Sequence, residues 1–184
     1  MPVTTLHSRV LAALMAALTA VGAYVALPVG PVPIILATVF VLLAGMLLGS
    51  RTGATSMGVY LALGLMGLPV FSLGRGGIAH FMGPTGGYLI GYVLAAYVAG
   101  FIAERAGGTL FGDILAATLG TAAIFALGLP WLRFHPTLNL EWGGTLAFGM
   151  LPYLPGAVIK VALAVTLARY ARPMVSSTRE LGLQ

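Results

Sequence analysis

The chain has 184 residues, 59% of them hydrophobic and only 7% charged, with a mean hydropathy of +1.03 and a formal charge of +5. A water-facing domain needs roughly a quarter of its residues charged, so a soluble enzyme is excluded, and the basic balance reflects arginines in membrane connections rather than nucleic-acid binding. Cysteine is absent, which removes disulfides and thiolate metal sites from consideration.

Between Arg9 and Arg51 lie 41 residues without a charged side chain, and residues 52–74, 76–103, 114–132 and 142–159 are uncharged as well. A spanning helix needs about 20 apolar residues, so the length holds about six spans. The runs are apolar on every side rather than alternating, which indicates helices and not a barrel. The expected fold is an all-α integral membrane protein with six transmembrane helices. They are placed near Val10–Leu27, Ile34–Gly49, Gly53–Leu68, Gly83–Ala103, Gly112–Leu129 and Pro155–Ala171. One membrane domain then covers 1–175, and 176–184 form a short cytoplasmic tail. The first apolar stretch exceeds the 7–15 residues of a signal peptide, so it is expected to be retained.

The first, third and fifth helices are each expected to stop at a Leu-Pro step: Leu27-Pro28, Leu68-Pro69 and Leu129-Pro130. Arginine counts set the orientation. With the N-terminus inside, Arg9, Arg51, Arg105, Arg169, Arg172 and Arg179 are cytoplasmic, while Arg75 and Arg133 face outward. Both termini are therefore expected in the cytoplasm, with the chain crossing the membrane several times. The outward connections 28–33, 69–82 and 130–154 are the longer ones and are rich in aromatic, Gly and Pro residues. They make the outer face the candidate binding face, with 28–33 as a lid.

Lys160 is the only charge more than two residues from the end of an expected span, where a lysine costs about 2.5–3.5 kcal/mol. It sits just below the outer end of the last helix, whose free N–H groups add a positive dipole end. That combination suits a carboxylate; the alternative is a side chain snorkelling to the headgroups. The stretch from Phe71-Ser72 through Arg75 to Thr85-Gly86-Gly87-Tyr88 is unusually rich in glycine. It suits either enclosure of a small ligand or close helix packing. On the first helix, Ala12, Ala16 and Ala20 form one small-residue row and Ala13 with Ala17 a second, matching either a partner helix or a neighbour in the same chain. His7, His80 and His135 show no ligand spacing. Glu104, Asp113 and Glu141 read as solvated loop charges. No catalytic group or cofactor site is legible within the spans.

These residues resemble the BioY family, the biotin-specific substrate-binding components of energy-coupling-factor transporters. The resemblance runs from Ala13 to about Arg169. Its most specific part is Gly67-Leu68-Pro69-Val70-Phe71-Ser72 with Gly83-Pro84-Thr85-Gly86-Gly87-Tyr88, joined by Leu154-Pro155-Gly156 and Lys160. It implies a non-enzymatic transporter subunit that binds biotin near the outer face. A transmembrane coupling subunit and two ATP-binding subunits would be its partners, and the first-helix alanines would dock the former. The implied ligand contacts are Lys160 for the carboxylate, with Tyr88, Thr85, Ser72, Phe71, Arg75, Thr38, Pro33, Gly156 and the Gly86–Gly87 backbone. The family usually shows Pro-Phe-Thr-Leu-Gln where this chain has Pro33-Ile34-Ile35-Leu36-Ala37, and an acid where it has Ala157. Lipoate or another small carboxylate is therefore an alternative ligand, and a structural subunit without a ligand is a third reading.

Overall fold

The computed structural model describes residues 3–28 and 32–181, the side chains at 3–5, 7 and 174–181 excepted. Helix α1 (Val3–Tyr24) leads into a minimal hairpin in which β1 (Ala26–Leu27) pairs antiparallel with β2 (Ile34–Ile35). Helices α2 (Ala37–Leu48) and α3 (Ser50–Leu65) follow, then a 3₁₀ turn (Ser72–Gly74) and the short α4 (Ile78–Phe81). The long helices α5 (Gly86–Arg105) and α6 (Leu110–Arg133) come next. Then α7 (Trp142–Gly149) and a second 3₁₀ turn (Leu151–Tyr153) lead to α8 (Leu154–Leu181). Residues 86–105, 110–133 and 142–173 are helical stretches long and apolar enough to cross a membrane. Ser8–Tyr24 and Ala37–Leu48 are shorter apolar helices.

Apolar residues surround α2 on every side, and a helix of that kind belongs in the centre. It touches α1, α3, α5, α6 and α8, and most of its residues are buried. Glycine lets the backbones close in. A Cβ on Gly45 would stand 2.3 Å from the Ala96 carbonyl oxygen, and one on Gly100 2.4 Å from the Ser50 nitrogen. Larger residues there would force α2, α3 and α5 apart.

The helix ends differ from the expected Leu-Pro stops. At the end of α3, Gly67 has φ +98°, its N–H reaches the Gly64 carbonyl, and the Leu68 N–H reaches that of Leu63. This is a Schellman motif, so Gly67 ends the helix before Pro69 is reached. Helix α6 instead runs through Pro130 to Arg133. A proline in the last turn removes only one backbone bond, and the Phe134 N–H still closes on the Pro130 carbonyl at 3.0 Å. Helix α2 starts at Ala37 rather than Ile34 because Ile34 and Ile35 are committed to the hairpin. Helix α8 continues to Leu181, so most of the expected tail is helical.

Charges at the end of the bundle opposite the hairpin are tied down. The Glu104 carboxylate accepts from the Ser50 N–H at 2.7 Å and caps α3. Asp113, in the first turn of α6, is fully buried rather than solvated as its loop-flanking position implied. Arg172 grips it with two hydrogen bonds, at 2.7 and 3.2 Å, and Arg169 adds one at 3.3 Å.

The α1 alanines divide. Ala12 and Ala16 are buried, and the Ser56 hydroxyl donates to the Ala12 carbonyl at 2.6 Å, so this row serves α1–α3 packing and is closed to a partner. Ala13 and Ala17 are exposed, and Ala20 is half-buried.

Candidate functional site

A cavity opens between the hairpin and the starts of α2, α5 and α8. Each wall comes from a different element. Val32, Pro33 and Ile35 come from the hairpin, Thr38 and Leu42 from α2, and Ser72 from the first 3₁₀ turn. Thr85, Tyr88, Leu89 and Tyr92 line the α5 side, and Thr121, Ile124 and Phe125 the α6 side. Tyr153, Ala157 and Lys160 complete it from the α8 side.

The wall is built by local devices. The Tyr88 hydroxyl donates to the Gly149 carbonyl at 2.9 Å and so ties α5 to the end of α7. The Tyr153 hydroxyl donates to the Val32 carbonyl, which fastens the α8 start to the hairpin. The Tyr24 hydroxyl donates to the Pro69 carbonyl at 2.5 Å, anchoring the glycine-rich loop to α1.

Lys160 is half-buried among mostly apolar neighbours, about 9 Å below the start of α8 at 1.5 Å per residue. No ion pair or hydrogen bond engages it among the described residues. A half-buried cation of this kind is chemically suited to a carboxylate, which would supply the charge and hydrogen bonds it lacks.

A second, more polar cavity adjoins the first and shares Pro33, Ser72 and Thr85 with it. Arg75 and His80 line this antechamber, not the inner cavity. Burial, and then the nearby Arg75 charge, lower the His80 pKa below its usual 6.5, so the imidazole is neutral at physiological pH.

Of the residues read from sequence, Lys160, Tyr88, Thr85, Ser72, Thr38 and Pro33 meet in the inner cavity. Phe71 does not. It is fully buried, its ring fills the space that a Cβ on Gly64 would occupy, and it packs edge-on against Tyr60 at 5.7 Å. Phe71 is thus the anchor that seats Ser72. Gly86 and Gly87 lie against the Trp131 side chain and let α5 approach α6. Gly156 does not line the cavity; a Cβ there would meet Ile34. The expected lid, 28–33, includes residues 29–31, which fall outside the described residues. Of the positions where family polar groups are absent, Ile35 and Ala157 face the cavity. Ala37 is fully buried, its Cα 3.0 Å from where a Gly22 Cβ would stand.

Tyr92, Thr121 and Tyr153 were not read from the sequence. Tyr92 follows Tyr88 by four residues, a spacing that puts both on one helix face and gave a usable signal. Thr121 gave none, since nothing in a run of apolar residues marks which threonine faces inward.

Comparison with known proteins adds a consistent set of relatives. The profile described as the BioY family matches residues 1–177. The chain is 48% identical over 167 residues to the probable biotin transporter BioY of Lysinibacillus sphaericus, covering 89% of this chain and 84% of that one. It is 38% identical over 158 residues to the probable biotin transporter BioY of Pyrococcus horikoshii, covering 86% and 91%. For the biotin transporter BioY of Thermotoga maritima the identity is 37% over 158 residues, covering 85% and 90%. Among solved structures, the S-component for biotin from an ECF-type ABC transporter superposes with a TM-score of 0.84, at 33% identity and with 92% of each chain covered.

Proposed function

The chain belongs to the BioY family, and from that premise we propose that it is a biotin-capturing transporter subunit, not an enzyme. The observation that carries the reading is Lys160, a cation without a partner among the described residues, on the wall of a largely apolar cavity. Biotin presents a carboxylate for that amine, and its apolar ring edge and chain suit the Ile35, Leu42, Leu89, Ile124 and Phe125 surfaces. Six helices, α1, α2, α3, α5, α6 and α8, span the membrane in this reading, with both termini in the cytoplasm of a prokaryotic cell. The hairpin and glycine-rich loop lie outward, and the Asp113–Arg169–Arg172 cluster lies inward, in keeping with arginine-rich inner connections.

A membrane coupling subunit and two ATP-binding subunits would supply the energy. The exposed alanines Ala13 and Ala17, with Ala20 at their edge, are the surface for the coupling subunit. Ala12 and Ala16 take no part.

One observation favours a second ligand. Ile35 and Ala157 present apolar surface where polar partners for a ureido ring would stand, and that surface suits lipoate. Calorimetric titration of purified protein decides between them. Nanomolar biotin binding with weak lipoate binding supports the first reading, and the reverse order supports the second. Silence toward both sinks the transport reading in favour of a structural subunit.

A further inference from the structure

Among the described residues, two tyrosines that pack against each other carry hydroxyls without hydrogen-bond partners. Tyr92 is 4% exposed, lines the cavity, and its hydroxyl has no partner among the described residues. Tyr60, on α3, is 1% exposed, its hydroxyl is fully enclosed and unpartnered, and its ring lies 6.3 Å from that of Tyr92. The two differ in one respect. Tyr92 borders the cavity and Tyr60 does not.

A hydroxyl that is buried and unpaired costs on the order of 1–3 kcal/mol, so one that faces a cavity is positioned for something that enters it. Every other tyrosine of the cavity is already committed, Tyr88 to Gly149 and Tyr153 to Val32. Depth points to the end of the ligand that Tyr92 meets. Tyr92 is six residues into α5 and Lys160 six residues into α8, each about 9 Å below its helix start. The α5–α6 packing places Tyr92 among the residues of the inner cavity. Gly91 lies against Ile124, and Gly120 lies against Leu42 and Ala95, which brackets Tyr92 with the floor residues Leu42, Thr121 and Ile124. Ser72, Pro33 and Thr85 belong to the mouth, because the antechamber shares them.

We propose that Tyr92 is a ligand-contacting, specificity-determining residue whose hydroxyl donates to one carboxylate oxygen of the bound acid while Lys160 holds the other. The inference rests on the biotin reading above and adds a residue and a role to it. Two donors on one carboxylate make the floor an acid-selective seat, so neutral analogues lose two contacts at once. Tyr60 supports the Tyr92 ring from behind and has no ligand role.

Competition binding on the purified full chain tests this, using biotin, biotinol (the acid reduced to an alcohol, the ureido ring intact) and the variants Tyr92→Phe and Tyr60→Phe. Tyr92→Phe is expected to weaken biotin about tenfold and biotinol less than about twofold, while Tyr60→Phe changes neither. An unchanged biotin affinity in Tyr92→Phe overturns the inference. So does an equal loss for both ligands, which places Tyr92 against the ring. A wild-type protein that binds no biotin removes the biotin reading and this inference together. A wild type that binds biotin beside an indifferent Tyr92→Phe removes the inference alone.

Discussion

The two ends of the helical bundle treat charge in opposite ways. At the end holding Asp113, a buried carboxylate is met by two guanidiniums, and Glu104 is spent on the α3 N-terminus. At the end holding the cavity, Lys160 and the Tyr92 hydroxyl have no partner among the described residues. Buried charge is costly unless matched. The first end matches it within the chain and gains rigidity. In the proposed reading, the second leaves the match to an incoming carboxylate and gains affinity. Stability and binding are thereby assigned to different residues.

Substitutions at each end should separate the two properties. The largest effect is expected from Asp113→Ala, which strips two arginines of their shared partner and should cost about 3 kcal/mol of stability. Thermal unfolding in detergent measures it, and biotin affinity in the folded fraction should not change. Lys160→Met should do the opposite: affinity falls at least about 30-fold, near 2 kcal/mol, while the ligand-free protein melts no lower than wild type. An unchanged affinity would return Lys160 to the headgroups. A destabilised ligand-free protein would show that it has a structural partner after all.

Gly64→Ala sharpens the comparison from the loop side. Its Cβ would stand 2.1 Å from the Phe71 ring, so the ring must shift and carry Ser72 with it. A cost of about 1–3 kcal/mol is expected, with a loss of affinity, because this contact serves both properties. Tyr60→Phe removes an unsatisfied buried hydroxyl, and a rise in melting temperature is the expected result.

The smallest effect concerns His80. Its folded pKa lies below the unfolded 6.5, so the unfolded chain binds the extra proton first. Stability is therefore level above about pH 6.5 and declines as the pH falls from there toward the folded pKa. Melting curves from pH 7.5 to 5 should show this decline, and His80→Asn should flatten it.

Much of this architecture was legible in the chain. The uncharged runs located α5 and α6 to within a few residues, because expelling charge from lipid leaves a plain signature. Helix ends were less legible, since proline marks where a helix is unlikely to continue and not where the last bond forms; Gly67 ended α3 first. The fate of Asp113 was illegible for a different reason. Its partners lie 56 and 59 residues away in sequence, and nothing local distinguishes a buried acid at a helix start from a solvated one. In the cavity, the glycine-rich motif pointed to the correct loop but not to the side chains that face inward. Phe71 and Ser72 are neighbours, yet one is an anchor and the other a wall.

The backbone contacts made by Gly45 and Gly100 reach further than packing. Where main chains nearly touch, an added methyl has no rotamer to escape into, so even alanine is refused. A saturation scan would find those two positions as intolerant as Lys160, although they stand well away from any ligand. Intolerance alone would draw the wrong map, and only a screen that scores folding and uptake separately would draw the right one.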